Sequence, residues 1–172
     1  MKYVALLRGI NVGGKNKVDM KELKALFIDL GYTEVQTYIN SGNVIFDTNQ
    51  DKLKETIEEG LLTTFNLVLK VLIIDIDTLE AIVNLVPDDY VNDSTMRCDV
   101  IFLMEGIDSK EFLESLKVVD KVDTVLQYDR AIIWKYNRED VNKSGQKSIL
   151  SSPYYKDISI RNVNTVRKLL AL

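Results

Sequence analysis

A glycine-rich, basic segment at residues 8–18 contains the residue types best suited to chemistry in this chain. Its glycines let backbone N–H groups turn toward a ligand, and its other residues supply positive charge and side-chain amides. These groups are used together to hold anions, phosphates in particular. The segment therefore predicts an anion-binding loop, with contacts from Arg8, Asn11, Gly13, Gly14, Lys15 and Lys17.

The same glycines also have a purely structural interpretation. They permit a tight backbone path, and the lysines would then be solvated and without a ligand. Against this, eleven residues form a long connection for a compact domain, and long connections more often carry function.

A P-loop NTPase is one specific chemistry that this segment resembles in part. Gly9 to Lys15 has the P-loop spacing, but Asn16 stands where Ser or Thr would hold Mg²⁺. The helix also begins only after Asp19, too late for its dipole to face the glycines. We therefore expect neither that activity, nor a metal site, nor a bound cofactor.

A second basic segment near the end of the chain has a similar character. It contains Lys147 and Ser148 after a glycine, then Arg161 at the start of a helix that Asn162 would cap. We expect the two basic segments to converge on one anion site, although Arg161 is equally explained as a surface residue. Ser41 is either a ligand contact or, with Gly42, the two-residue loop of a β-hairpin.

Composition excludes several classes of function. The chain has no histidine and one cysteine, Cys98, which removes intrachain disulfides, zinc fingers and Ser-His-Asp triads. Cys98 begins the apolar run CDVIFLM and is interpreted as a small buried hydrophobe, which suits a reducing cytoplasm. No apolar run approaches the roughly 18 residues of a membrane span, so we expect no membrane association.

Charge is unevenly distributed along a chain whose net charge is −4. Residues 1–17 have four basic and no acidic side chains, and residues 130–172 have nine basic against three acidic. Basic ends on an acidic protein favour a small anionic partner or a nucleotide. Extended nucleic acid is disfavoured because no strand combines exposed aromatic side chains with basic neighbours. The oligomeric state is left open.

The elements that would position these residues follow from periodicity and capping. The first half predicts the order βαββαβ and then a helix, at residues 3–8, 19–30, 34–40, 43–47, 50–65, 68–75 and 78–86. Three helices begin with an aspartate followed three residues later by a glutamate, which predicts N-caps at Asp19, Asp77 and Asp108.

The second half repeats this order at an offset of roughly 85 to 95 residues, the size of one small domain. Its elements are predicted at residues 98–104, 109–118, 122–128, 131–136, 157–160 and 163–171, with a helical or irregular stretch near 146–155. The predicted fold class is α+β, a tandem duplication of two ferredoxin-like units at residues 1–88 and 89–172. Residues 87–95 would be the linker, and strands that are apolar on both faces should make the halves fold as one body.

Three motifs together resemble a known family: LLRGINVGGKNKVDM, YINSGNVIF and IRNVNTVRKLL. They are similar to the bacterial family called domain of unknown function sixteen ninety-seven, and the similarity spans essentially the whole chain. The resemblance implies a small cytoplasmic bacterial protein of tandem ferredoxin-like α-β plaits, without an established activity. Val163 stands where that family usually has a tryptophan, which weakens any role for an aromatic residue there.

Three functions are consistent with these patterns. The first is a module that binds a phosphorylated small molecule or nucleotide through the basic segments. The second is an enzyme acting on a phosphorylated substrate, although no pair of residues has diagnostic catalytic spacing. The third is a protein-interaction module whose apolar strands pair with another chain.

Overall fold

The computed structural model describes all 172 residues and is a mixed α+β structure with two four-stranded antiparallel sheets. The chain divides into two compact units. The first unit consists of residues 1–79 and 169–172, and the second of residues 80–168. No helix combines the length and apolar character that a membrane span needs.

The first unit contains one sheet of strand order β2-β3-β1-β4, in which every neighbouring pair is antiparallel. Its elements are β1 (Lys2–Leu7), α1 (Met20–Asp29), β2 (Thr33–Tyr38), β3 (Asn43–Asp47), α2 (Leu53–Phe65) and β4 (Val71–Asp75), followed by α3 (Ile76–Leu85). The division between the units falls inside α3.

The core of the first unit lies between this sheet and the helices α1 and α2. The apolar stripe predicted for α1 is buried at Leu23, Leu26 and Phe27, because residues three and four apart share one helix face. Phe27 packs edge-on against Phe46 of β3, with 5.2 Å between ring centroids. Helix α2 buries Leu53, Ile57 and Leu61 in the same cluster.

Aspartates cap the N-termini of three helices, two of them at the predicted residue and one at a different aspartate. The Asp19 carboxylate accepts from the N–H of Lys21, and that of Asp108 accepts from the N–H of Glu111. The predicted cap at Asp77 is wrong, since α3 begins at Ile76. Asp75 instead accepts from both the N–H and the hydroxyl of Thr78, so the strand ends directly in the helix cap.

The second unit contains a sheet of order β6-β7-β5-β8, again antiparallel throughout. Its elements are β5 (Met96–Leu103), α4 (Ser109–Glu114), β6 (Thr124–Tyr128), β7 (Ala131–Asn137), β8 (Ile158–Asn162) and α5 (Val163–Leu170). Between β7 and β8, where the first unit has α2, there are only short 3-10 helices at Arg138–Asp140, Gly145–Ser151 and Tyr155–Asp157. The helical or irregular stretch predicted near 146–155 is therefore observed as 3-10 helix over part of its length.

The residues predicted as a linker, 87–95, belong to the second unit and are held by it. The Arg167 guanidinium donates to the carbonyl oxygens of Tyr90 and Pro87. Asn164 donates to the carbonyl oxygen of Asn92 and accepts from its N–H. This stretch is consequently an ordered loop fastened to α5.

Candidate functional site

The basic loop between β1 and α1 is a small, self-contained hairpin. The N–H of Asn11 donates to the carbonyl of Asn16 over 3.0 Å, and the N–H of Lys15 donates to the carbonyl of Val12 over 3.0 Å. Gly13 and Gly14 form its tip with φ of 58° and 77°, a left-handed pair that glycine adopts without strain. The loop therefore has a defined shape of its own.

Asn11 joins this hairpin to its surroundings. Its side-chain amide donates to the carbonyl oxygens of Val18 and Asn40, at 3.0 and 2.9 Å, and its Oδ1 accepts from the N–H of Val18 at 2.9 Å. Asn16 likewise donates to the carbonyl of Gly9. The amide side chains of the loop thus act as internal supports of the loop conformation.

The basic side chains of the loop differ in exposure. Lys15 and Lys17 are exposed, while Arg8 is half-buried. The backbone N–H of Arg8 donates to the backbone carbonyl of Lys70. Lys17 lines an open cavity of about 710 Å³ beside the start of α1, together with Asn11, Gly14, Asn40, Lys21, Asp19 and Glu22. Two lysines and two carboxylates therefore share its rim.

The N-terminus of α1 is already satisfied from within the chain. The N–H groups of Lys21 and Glu22 donate to the Asp19 carboxylate, at 2.7 and 3.3 Å. An anion at this loop would consequently be held by lysine side chains and loop N–H groups, and the Asp19 carboxylate competes with it for the helix end.

Ser41 lies in the connection between β2 and β3, and the predicted two-residue hairpin loop there is wrong. Strand β2 ends at Tyr38 and pairs with Asn43, so residues 39–42 form a four-residue loop. The buried Asn43 side chain donates to the Ser41 hydroxyl and to the Tyr38 carbonyl, which closes the turn. Ile39 takes a left-handed φ of 50°, which the apolar pattern could not indicate.

The second predicted segment is placed within the second unit. Lys147 is exposed, whereas the Ser148 hydroxyl is committed locally: it donates to the carbonyl of Gly145 and accepts from the N–H of Lys117. Asn162 accepts from the N–H of Thr165 at 2.9 Å, which confirms the predicted cap of α5.

Arg161 is half-buried on β8. It donates to the carbonyl of Ile160 at 2.9 Å and to the hydroxyl of Ser159 at 3.3 Å. Burial lowers the pKa of Arg161 to about 10, since the charged form loses hydration. The arginine stays charged at neutral pH. Convergence of this segment with the basic loop stays a prediction.

Cys98 has the buried position expected from its apolar surroundings. Burial, with a smaller contribution from the Asp99 charge, raises the pKa of the thiol to about 12. The thiolate is therefore unpopulated at neutral pH, and nucleophilic chemistry at this residue is disfavoured.

One polar cluster was missed by the sequence reasoning. In the second unit a cavity of about 310 Å³ is lined by Arg97 and Asp99 of β5, with Gln146 and Lys147 beside them. Burial works against the charged form of Arg97, but its hydrogen bond with Asp99 keeps the pKa of Arg97 above its ordinary value. The two-residue spacing of Arg97 and Asp99, which places both on one strand face, was the signal available in the sequence.

Sheet order and connectivity define an α+β protein whose candidate sites are the basic loop of the first unit and the cavity of the second. The chain belongs to the family DUF1697, described as a protein of unknown function, whose model matches residues 1–134. This confirms the resemblance seen in the motifs. The motif IRNVNTVRKLL lies beyond the matched residues.

A solved structure is similar to this chain over nearly its whole length. It is described as conserved bacterial protein SP0830 from Streptococcus pneumoniae, with 33% sequence identity and a TM-score of 0.85. The similarity covers 99% of this chain and 97% of that one. No curated protein matches the chain. Neither description names a ligand or a reaction.

Proposed function

We propose that the protein binds a small anionic ligand, a phosphorylated metabolite or a nucleotide, through the loop at residues 8–17. The observation that carries the proposal is the internal bracing of an exposed, positively charged hairpin. Asn11 and Asn16 fix its shape, while Lys15 and Lys17 remain exposed and Lys17 lines an open cavity of about 710 Å³.

Preorganisation is the physical reason that such a loop favours binding. A loop whose conformation is already fixed loses little conformational entropy when a ligand arrives. The loop is open at Gly9, Gly13 and Gly14, since a Cβ at any of them would have no atom within 4 Å outside its own residue and its chain neighbours. A phosphate group can therefore approach the backbone closely, as it does at other glycine-rich loops.

The rim charges limit which anion this loop would accept. Asp19 and Glu22 stand on the same cavity as Lys17 and Lys21. A highly charged polyanion would meet both carboxylates, whereas a compact phosphate can sit at the lysines alone. This supports a small ligand over extended nucleic acid.

Lys147, Ser148, Arg161 and Asn162 form the second basic region of the proposal. Lys147 is exposed and Arg161 is charged at neutral pH. The side chains of Ser148 and Asn162 are engaged in local hydrogen bonds. These two residues would therefore contribute to anion binding by fixing the local backbone and not by direct side-chain contacts.

Anion-specific thermal shifts test the proposal. Phosphate, pyrophosphate or sulfate should raise the melting temperature beyond chloride at equal ionic strength, because a ligand that binds only the folded state stabilises it. The double variant Lys15→Ala/Lys17→Ala should lose that anion-specific increment.

Lys24→Ala is the matched control, since Lys24 is an exposed lysine on α1 outside the cavity. It removes a charge without touching the loop and should keep the increment. Equal shifts for phosphate and chloride, or an unchanged increment in the double variant, would contradict anion binding at the loop.

We further infer that the chain is a tandem duplication of two ferredoxin-like units, with halves at residues 1–88 and 89–172. Support comes from the matching strand orders β2-β3-β1-β4 and β6-β7-β5-β8, and from the shared βαββ start of each unit. The short 3-10 helices before β8 would then be the degenerate remnant of a second helix.

We also infer a cytoplasmic location. The buried and unpaired Cys98 supports it, since free thiols persist in a reducing compartment.

A further inference from the structure

A second cavity, in the second unit, combines a fixed cation with an apolar wall. It measures about 310 Å³ and lies over the end of the sheet where β5 begins. Its outer side is formed by Val141, Asn142 and Ser144 together with the short 3-10 helix Gly145–Ser151, since the second unit has no regular helix between β7 and β8. The cavity exists because a regular helix is replaced by a tighter, shorter segment.

An ion pair forms the polar part of this cavity. The Arg97 Nε donates to Asp99 Oδ2 over 2.8 Å, and the Gln146 side-chain amide donates to the same oxygen over 3.1 Å. Asp99 is 4% exposed, whereas the Arg97 side chain is 43% exposed. The buried carboxylate therefore holds one edge of the guanidinium, and Tyr136 is a further hydrogen-bond partner of Arg97 on the same cavity. A guanidinium has five N–H donors, so these two partners leave donors for a ligand.

The register of the two sheets shows how unusual this carboxylate is. Strands β1 and β5 can be aligned by their pairing with the edge strands: Leu7 of β1 pairs with the first residue of β4, and Leu103 of β5 pairs with the first residue of β8. In this alignment Asp99 of β5 occupies the position that Tyr3 occupies in β1, four residues before the leucine in each strand. Tyr3 packs its ring on Phe46, with 6.0 Å between centroids.

The stability of the fold does not explain why an ion pair stands where the first sheet has aromatic packing. Removing a carboxylate from water has a large desolvation cost, and a well-packed apolar residue is often as stable or more so. The pair is explained more simply if its purpose is to orient the guanidinium of Arg97.

The mouth of the cavity is apolar and open. Val141 and Leu150 line it and are 49% and 66% exposed, which is high for large aliphatic side chains. Ile149 and Ile160 continue the apolar wall inward, and exposed Lys147 stands beside them. An apolar wall with a small number of fixed polar groups is the usual composition of a small-molecule pocket.

We propose that this cavity binds a small organic oxyanion, a carboxylate or phosphate ester with a short aliphatic chain. Arg97, oriented by Asp99 and Gln146, pairs with the oxyanion, and Lys147 adds a second positive charge at the rim. The aliphatic chain lies against Val141, Leu150 and Ile160. This site lies outside the loop at residues 8–17 and shares only Lys147 with the second basic region, so a failure of anion binding at the loop leaves the cavity proposal untouched.

NMR titration of the full-length ¹⁵N-labelled protein tests the site. Hexanoate and hexyl phosphate are the two charged probes, and hexanol is the neutral probe of the same chain length. Each charged probe that fits should give saturable shifts of the Arg97 Nε–H and of the backbone amides of residues 144–150. The dissociation constant should be on the order of millimolar, because the ligand has few atoms. The tighter of the two probes identifies the preferred head group.

Variants assign these shifts to the cavity. Arg97→Gln/Asp99→Asn replaces the ion pair by a neutral pair without leaving a buried charge alone, and should weaken charged-probe binding at least about tenfold. Lys147→Met should weaken it by about fivefold, and Leu150→Ser should weaken hexanoate while leaving acetate unchanged. Lys156→Met is the matched control, since Lys156 is exposed and outside the cavity, and should bind like the wild type.

Four results would overturn the site. One is the absence of saturable shifts with both charged probes. Another is equal binding of hexanol at the Arg97 resonance. The third is wild-type affinity in Lys147→Met and Leu150→Ser, both surface changes that leave the ion pair intact and so keep the test valid even where the double variant fails to fold. Shifts confined to residues 8–17 would also exclude the cavity and would report on the loop instead.

Discussion

Asp123 offers the sharpest test of how the second unit is held together. It precedes β6, and its carboxylate accepts four hydrogen bonds. Oδ1 accepts from the indole N–H of Trp134 and from the hydroxyl of Ser144, and Oδ2 accepts from the N–H groups of Val119 and Gly145. One side chain thus links a loop, the strand β7 and the 3-10 helix that follows Ser144.

Asp123→Asn keeps the shape of the side chain but cannot satisfy these four donors. If the new amide group faces Val119 and Gly145, two backbone donors meet a donor. If it faces the other way, Ser144 can turn its hydroxyl, but the fully buried indole of Trp134 can only donate. Hydrogen bonds to a charged acceptor contribute about 1.5 to 3 kcal/mol each. Loss of one or two of them predicts a destabilisation of about 2 to 4 kcal/mol.

Urea unfolding at neutral pH measures this difference, and its pH dependence tests the charge. Although burial acts to raise the pKa of Asp123, its hydrogen bonds hold the pKa below the ordinary value. A carboxylate with a lowered folded-state pKa contributes stability above its unfolded pKa of about 3.9, and this contribution is lost as pH falls through the folded-state pKa. The gap between wild type and Asp123→Asn should therefore narrow below about pH 4.

Asp120→Asn is the control, because Asp120 is exposed, lies three residues away and accepts no hydrogen bond. It should change the free energy of unfolding by less than about 0.5 kcal/mol. A variant Asp123→Asn that unfolds like the wild type at neutral pH, or a gap that stays constant on acidification, would refute the argument.

Two further contrasts separate scaffold from surface. Leu23→Ala should cost about 2 to 5 kcal/mol because Leu23 is fully buried on α1, whereas Lys15→Ala should change stability by less than about 0.5 kcal/mol; equal costs in urea melts would show that the loop lysine is structural. Gly42→Ala should cost about 2 to 5 kcal/mol, since φ is +81° and the new Cβ would lie 2.7 Å from Ile10 Cδ1. Gly13→Ala has a positive φ but open space, and should cost only about 1 to 2 kcal/mol by thermal melting; a larger loss there than at Gly42 would contradict the packing argument.

Much of the fold could be predicted from local pattern because the pattern and the tertiary contacts agree. Residues three and four apart on α1 and α2 are apolar, and these residues are the buried ones. Strand β7, predicted at 131–136, is observed at Ala131–Asn137 and is buried from Ala131 to Trp134. Where one element has one apolar face and one cap, local sequence is enough to place it.

The errors fall where two local solutions compete. Asp75 and Asp77 are both able to cap α3, and only the end of β4 decides that Asp75 does so. The turn after β2 contains Asn-Ser-Gly, typical of a short hairpin, but burial of Asn43 fixes strand pairing two residues earlier than that pattern suggests. The choice in each case is made by a partner strand, which local sequence does not describe.

At the candidate sites, residue type alone misjudges which side chains are able to contact a ligand. Asn11 has the residue type of a ligand contact, but its side chain is engaged in bracing the loop, so residue type alone overstates its availability. Arg97 and Asp99 lie at the start of an apolar strand and look like ordinary strand-end charges in the sequence. A cavity lies over them because the 3-10 segment Gly145–Ser151, and no regular helix, covers the sheet between β7 and β8. A charge becomes a binding group when its surroundings leave space for a ligand but fix its direction, and both conditions are properties of packing.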